Sequence, residues 1–157
     1  MHHKYHTKAI ILENILSNET DMTYFVLTKE FGLLYAVSHG VRNIKSKNRY
    51  SLQIGSLSLI DLIKTRDMWQ ITSAVYLDDY NVIFKSKEGR VLWSKFVIVL
   101  KKIAPKNDVN DDLWKASVLF LITLDNLIKS NIHEEVIDNL EIYFIHTILS
   151  FLGYTKR

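Results

Sequence analysis

Four cations, Arg42, Lys45, Lys47 and Arg49, fall within the stretch Gly40–Tyr50, between Asn, Ser, two aliphatic residues and one closing Tyr. No Asp or Glu occurs between Glu30 and Asp61. Side chains of this kind meet phosphates, lysine as a point charge and arginine as a planar fork. The same composition also serves a loop that is merely solvated. A second basic group follows. Residues 85–106 hold seven cations against Glu88, and residues 108–141 hold eight acids against two cations. Lys87, Arg90 and Lys101 share one helical stripe, and Lys95, Lys102 and Lys106 another. A cationic stripe suits a phosphate backbone or an acidic peptide, and spacing does not choose between them. Oppositely charged helices that solvate their outer faces would carry the same pattern.

Bond-making chemistry finds little here. The sequence has no Gly-rich phosphate loop, no His-Glu-x-x-His and no Gly-x-Ser-x-Gly. The adjacent pairs Asp78-Asp79 and Glu134-Glu135 point apart on a strand or helix, which makes them poor acid/base partners. His2, His3 and His6 read as a charged terminus and His146 as a helix histidine, so neither a metal nor a cofactor is expected. The 157 residues include no cysteine, which excludes disulfides, thiol catalysis and Cys-ligated metals. A 48% hydrophobic share, 11% aromatics, one proline and five glycines argue for a folded core in one domain or two small ones. Apolar runs such as Val118–Ile122 fall far short of the ~20 residues that cross a bilayer. The first residues lack the apolar stretch of a signal peptide. The expectation is a soluble, cytoplasmic protein with no membrane partner.

The elements that must position these cations change character along the chain. Residues 5–80 read as five strands: Tyr5–Glu13, Asp21–Lys29, Leu33–His39, Ser56–Lys64 and Trp69–Asp79. The last two alternate with period two, the mark of a half-buried strand. In the fifth strand, Trp69, Ile71, Ser73, Val75 and Leu77 share one face. Gly32 supplies the positive φ of a tight hairpin. Five antiparallel strands with one long connection fit a small Greek-key barrel of the OB type, with an open five-stranded sheet as the alternative.

From Ser86 the period becomes that of helices. Ser86 caps the first, and Pro105 ends it. The second spans Val109–Lys129, and its centre, Val118–Ile122, is apolar on all sides, which marks it as the central buried helix. The third spans Ile132–Leu152, with Asn131 and Glu134 at capping-box spacing and Gly153 as C-cap. The class is α+β: a barrel domain over 1–80, then a helical bundle over 81–157.

The order of these pieces resembles the RecO family of bacterial recombination mediators. Tyr5–Leu12 is similar to its opening strand, and Leu27–Val37 to its second hairpin. Gly40-Val41-Arg42, Lys45-Ser46-Lys47 and Leu52-Gln53 resemble its basic connection. Leu57–Lys64 and Ile71–Ala74 continue in register, and Phe151-Leu152-Gly153-Tyr154 resembles the Leu-Gly-Tyr that closes its last major bundle helix. The resemblance implies an N-terminal OB fold and binding of single- and double-stranded DNA. It also implies annealing of complementary strands, and work with RecR to load RecA onto strands coated by single-stranded DNA-binding protein (SSB). It makes Arg42, Lys45, Lys47, Arg49 and Lys8 the DNA-contacting residues. Lys87, Arg90, Lys95, Lys101 and Lys102 become candidates for DNA or for the acidic C-terminal tail of SSB.

Three departures stand out. Relatives continue into a Cys-ligated zinc module and further helices, whereas this chain has no cysteine and its helical part is short. Ile54 stands where relatives usually carry a proline, and Tyr50-Ser51 replaces a glycine-alanine pair. The expected function is therefore that of a short, monomeric, nucleoid-associated mediator-like protein, not an enzyme. On a strand it would track phosphates with cations and stack bases on aromatics such as Tyr24, Tyr35, Trp69 or Tyr76, unless these fill the barrel. The rival reading is a protein-interaction adaptor that docks an acidic partner tail.

Overall fold

The computed structural model describes residues 2–131 and 134–154. These form two compact units. Residues up to Asp79, together with Lys106–Val109, make the first, and Tyr80–Pro105 with Asn110 onward make the second.

The first unit is a closed barrel. Its strands are β1 (Lys4–Leu16), β2 (Met22–Thr28), β3 (Gly32–Ser38), β4 (Ser56–Lys64) and β5 (Trp69–Asp79), and a one-turn helix α1 (Asn48–Ser51) lies between β3 and β4. The order around the barrel is β1-β2-β3-β5-β4. Closure excludes the open sheet, and the length of β1 makes it possible. Lys4–Ile10 pair with β4, and Ala9–Leu16 pair with β2. A shift between Ile11 and Glu13 leaves Leu12 as the extra residue of a bulge, which bends a strand enough to serve two neighbours. A short parallel pairing, Ala36 with Trp69 and Val37 with Gln70, seals the seam.

The barrel is filled by Ile11, Val26, Leu34, Ile60, Leu62 and Ile71, with Tyr24, Val41 and Leu52 packed beside them. Full burial of each large aliphatic side chain stabilises by roughly 1.5–3 kcal/mol. The expected face of β5 is corrected here. Thr72 is an extra residue in the pairing with β4, because Leu62 faces Ile71 and Asp61 faces Ser73. A one-residue bulge reverses the parity of everything after it. Ala74 therefore points inward, while Val75 and Leu77 are 56% and 45% exposed.

Gly32 carries φ +71°, and a Cβ there would stand 2.2 Å from the carbonyl oxygen of Asp108. This is where Lys106–Val109 lie against the barrel. The N–H of Asn107 donates to the carbonyl of Leu33 at 2.8 Å, and the indole N–H of Trp69 donates to Asn107 Oδ1 at 3.2 Å.

The second unit holds a 3-10 turn (Asn81–Lys85) and helices α2 (Lys87–Ile103), α3 (Asp111–Lys129) and α4 (Glu134–Phe151). Ser86 caps α2 by accepting from the N–H of Gly89, and Asn110 caps α3 by accepting from the N–H of Leu113. The side chain of Glu134, and with it the Asn131–Glu134 pair, lies outside the described residues. Gly153, at φ +83°, ends α4, and the N–H of Tyr154 reaches back to the carbonyl of Leu149 at 2.9 Å. Phe96, Phe120 and Phe144 form the aromatic centre, with Phe120 and Phe144 stacked at 4.0 Å.

The expectation of a fully buried α3 is also corrected. Phe120, Leu121 and Leu124 are buried, but Leu119 is 62% and Ile122 43% exposed. Three helices offer α3 neighbours along only part of its circumference, so an all-round apolar segment keeps a bare side. No helix of the described residues is long and apolar enough to cross a membrane.

Candidate nucleic-acid interface

The connection from His39 to Gly55 carries the four loop cations, and the structure divides them into two kinds. Arg42 is anchored. Its Nη1 donates to the carbonyls of Asn18 and Glu19 at 3.0 and 2.9 Å, and its backbone N–H donates to the carbonyl of Thr20. It therefore clasps the tip of the β1–β2 hairpin. Lys45, Lys47 and Arg49 are exposed, and their side chains have no hydrogen-bond or ion-pair partner among the described residues. Long cationic side chains held by nothing are free to meet a polyanion.

Asp21 fixes the start of this connection. Its carboxylate accepts from the N–H of Gly40 at 2.7 Å, from Asn18 Nδ2 at 2.9 Å and from Thr20 Oγ1 at 3.0 Å, and it pairs with His39 Nδ1 at 2.9 Å. These contacts, the Gly40 amide foremost and then Asn18 and His39, hold the Asp21 carboxyl far below the usual carboxylate range. The acid-free run in the sequence is thus not acid-free in space, because the hairpin brings Glu19 and Asp21 to its first residues. The unopposed cations are the later three.

The end of the connection is pinned differently. Asn48 Oδ1 accepts from the N–H of Ala74 at 3.2 Å, which ties α1 to β5 beside the Thr72 bulge. Tyr50 is left 61% exposed, with its ring 5.4 Å from that of Tyr76. The Tyr76 hydroxyl donates to Asp79 at 2.7 Å, which, with burial and the nearby charges, pushes its pKa up to about 12. Tyr50 is thus an open aromatic face next to the free cation Arg49. It was not among the aromatics singled out from strand positions. Its only sequence signal was its place at the end of the cationic stretch.

The strand aromatics behave otherwise. Tyr24 is buried against the barrel interior, and Trp69 packs with Tyr5 and Phe31 at 5.8 and 5.4 Å. Tyr35 lies 4.8 Å from Phe25. Lys8 is exposed on β1 opposite Leu59, and its carbonyl accepts from the N–H of Lys29 at the β2–β3 hairpin. Arg42 sits at the other end of β2, about 23 Å away for a seven-residue strand. The structure does not gather Lys8 with the loop cations.

The α2 group is partly spent within its own unit. Arg90 Nη1 donates to the carbonyl of Phe84 at 3.0 Å, and Lys95 pairs with Glu141 at 3.1 Å. Lys101 is half-buried. Lys87 and Lys102 are exposed and have no partner among the described residues. Among those residues, no three His, Asp or Glu side chains are grouped to hold a metal ion.

Comparison with known proteins agrees with this architecture. Residues 1–80 match the family model described as recombination protein O N terminal. The chain is 29% identical over 151 residues to the DNA repair protein RecO of Thermodesulfovibrio yellowstonii. It is 26% identical over 158 aligned positions to the DNA repair protein RecO of a Thermoanaerobacter species. Each alignment takes in 96% of this chain and 58% of the relative, so the chain spans less than two thirds of the curated relatives it matches.

Proposed function

The chain belongs to the recombination protein O family, and on that premise we propose that it is a DNA-repair protein that binds single strands along the β3–β4 connection. The carrying observation is the set Lys45, Lys47 and Arg49, exposed and unpaired on one side of a closed five-stranded barrel. Three free cations supply an electrostatic track, and Tyr50 supplies a face on which a base stacks, worth ~1–3 kcal/mol. Arg42 acts first as a structural clasp and adds only its remaining donors to the track. No bond is made or broken. Neutralising a strand while leaving its base edges free lowers the repulsion that keeps two complementary strands apart, which is the physical basis of annealing.

Cooperation with RecR, RecA and the SSB tail belongs to the same proposal, by way of the family. The rival adaptor reading draws on an apolar groove of about 460 Å³ between α3 and α4, lined by Leu119, Phe120, Tyr143 and Phe144. Its rim weighs against an acidic peptide, because Lys115 is already paired with Asp111 at 3.0 Å and Asp112 stands beside it.

Fluorescence anisotropy with a labelled oligonucleotide, repeated over a salt series, tests the proposal. Binding that weakens steeply with salt is expected. No binding at 50 mM salt with micromolar protein would overturn it. The same labelled strand, incubated with Mg²⁺ and run on a gel, is expected to stay intact.

A further inference from the structure

A cleft of about 330 Å³ opens in the barrel unit beside the basic connection. Its floor is Tyr24 and Leu52, both buried and part of the barrel interior. Its rim carries two amides, Asn14 and Gln53, and two guanidinium groups, Arg42 and Arg49. The volume is at the low end of the ~300–1,000 Å³ range of small-molecule sites, room for one flat ring and its attachment.

The polar groups in this cleft are unsatisfied. Tyr24 is only 4% exposed, yet its hydroxyl has no hydrogen-bond partner among the described residues. Buried hydroxyls are normally paired, so an unpaired one on the wall of a cleft points to a ligand. Burial also raises the Tyr24 pKa, which keeps the hydroxyl a donor. The amides of Asn14 and Gln53 have no partner either. Asn14 is the cross-strand neighbour of Tyr24 in the β1–β2 ladder, so both side chains leave the same face. Arg42 is held in place by its two carbonyl contacts, while Arg49 is free.

An apolar floor, a hydroxyl donor, two amides that both donate and accept, and two cations at the mouth match one ligand class. We propose that this cleft takes a single nucleobase of a bound strand, unstacked from its neighbours, with Tyr24, Asn14 and Gln53 against its edge and Arg42 and Arg49 beside the adjoining phosphate. The inference rests on the strand-binding reading and deepens it: electrostatic tracking alone needs no pocket, whereas this one seats the strand in register.

The test is an NMR titration of the full ¹⁵N-labelled chain with three probes: a deoxynucleoside 5′-monophosphate, deoxyribose 5-phosphate and inorganic phosphate. The nucleotide is expected to shift the side-chain amide signals of Asn14 and Gln53, and the two base-free probes are not. Tyr24→Phe, which keeps the ring in the core, is expected to weaken binding of a short oligonucleotide about three- to tenfold, the worth of one hydrogen bond, with its salt slope unchanged. Oligonucleotide binding that persists while the nucleotide acts no differently from phosphate overturns the pocket and leaves strand binding standing. Failure of the oligonucleotide itself to bind overturns both.

Discussion

Replacing Lys45, Lys47 and Arg49 together by Gln removes the three unpaired loop cations and leaves Arg42 on its hairpin carbonyls. Gln is chosen over Glu because it deletes contacts without adding repulsion. Each phosphate contact on a single strand contributes about 0.7 to the slope of log K against log salt, so three contribute about 2. Between 50 and 200 mM salt, a slope difference of about 2 is a roughly twentyfold difference in how much affinity is lost. Anisotropy of a labelled oligothymidine, measured at four or five salt concentrations for both proteins, reads this directly. None of the three side chains holds another residue, so thermal stability should stay within about 0.5 kcal/mol of the parent. An unchanged slope would refute the assignment of the track. A large fall in melting temperature would refute the claim that these side chains are free.

Three further outcomes follow from the geometry. Tyr50→Ala should weaken oligonucleotide binding by about 1–3 kcal/mol while leaving the salt slope unchanged, because stacking releases no counterions; equal losses in slope and affinity would mean that Tyr50 only supports Arg49. Gly32→Ala places a Cβ 2.2 Å from the Asp108 carbonyl on a backbone at φ +71°, so urea unfolding should show a loss of at least the ~1–2 kcal/mol of a left-handed residue; an unchanged midpoint would contradict that packing. Asp21 has a folded-state pKa below its ordinary value near 3.8, so its stabilising contribution is complete above that pH and is lost as pH falls toward the folded value. Asp21→Asn should therefore flatten the fall of melting temperature below pH 4, and a variant with the same acid profile as the parent would count against the Gly40–Asp21 anchor.

Five strands, their hairpin glycine and the change from period two to period 3.6 were legible because each depends on neighbours within a few residues. Gly32 and Gly153 both adopt the positive φ that their positions foretold, and Ser86 caps α2 as its place before the helix implied. The basic connection was visible as composition. Which of its cations are free was not, since that depends on a hairpin some twenty residues earlier in the chain folding back against Arg42.

The same division runs through the remaining differences. Alternation along β5 assigned Val75 and Leu77 to the face of Ile71, and only the Thr72 bulge, set by the pairing with β4, reversed them. The apolar centre of α3 announced a buried helix, but burial depends on how many neighbours surround it, and here one side stays bare. The cleft beside Tyr24 had no sequence signal, because its walls come from β1, β2 and both ends of the β3–β4 connection. Local pattern alone determined the strands, the helices and the stock of cations. Closing the barrel decided which side chains were consumed in holding it and which were left to bind, because partnership is a property of distance in space, which residue order does not carry.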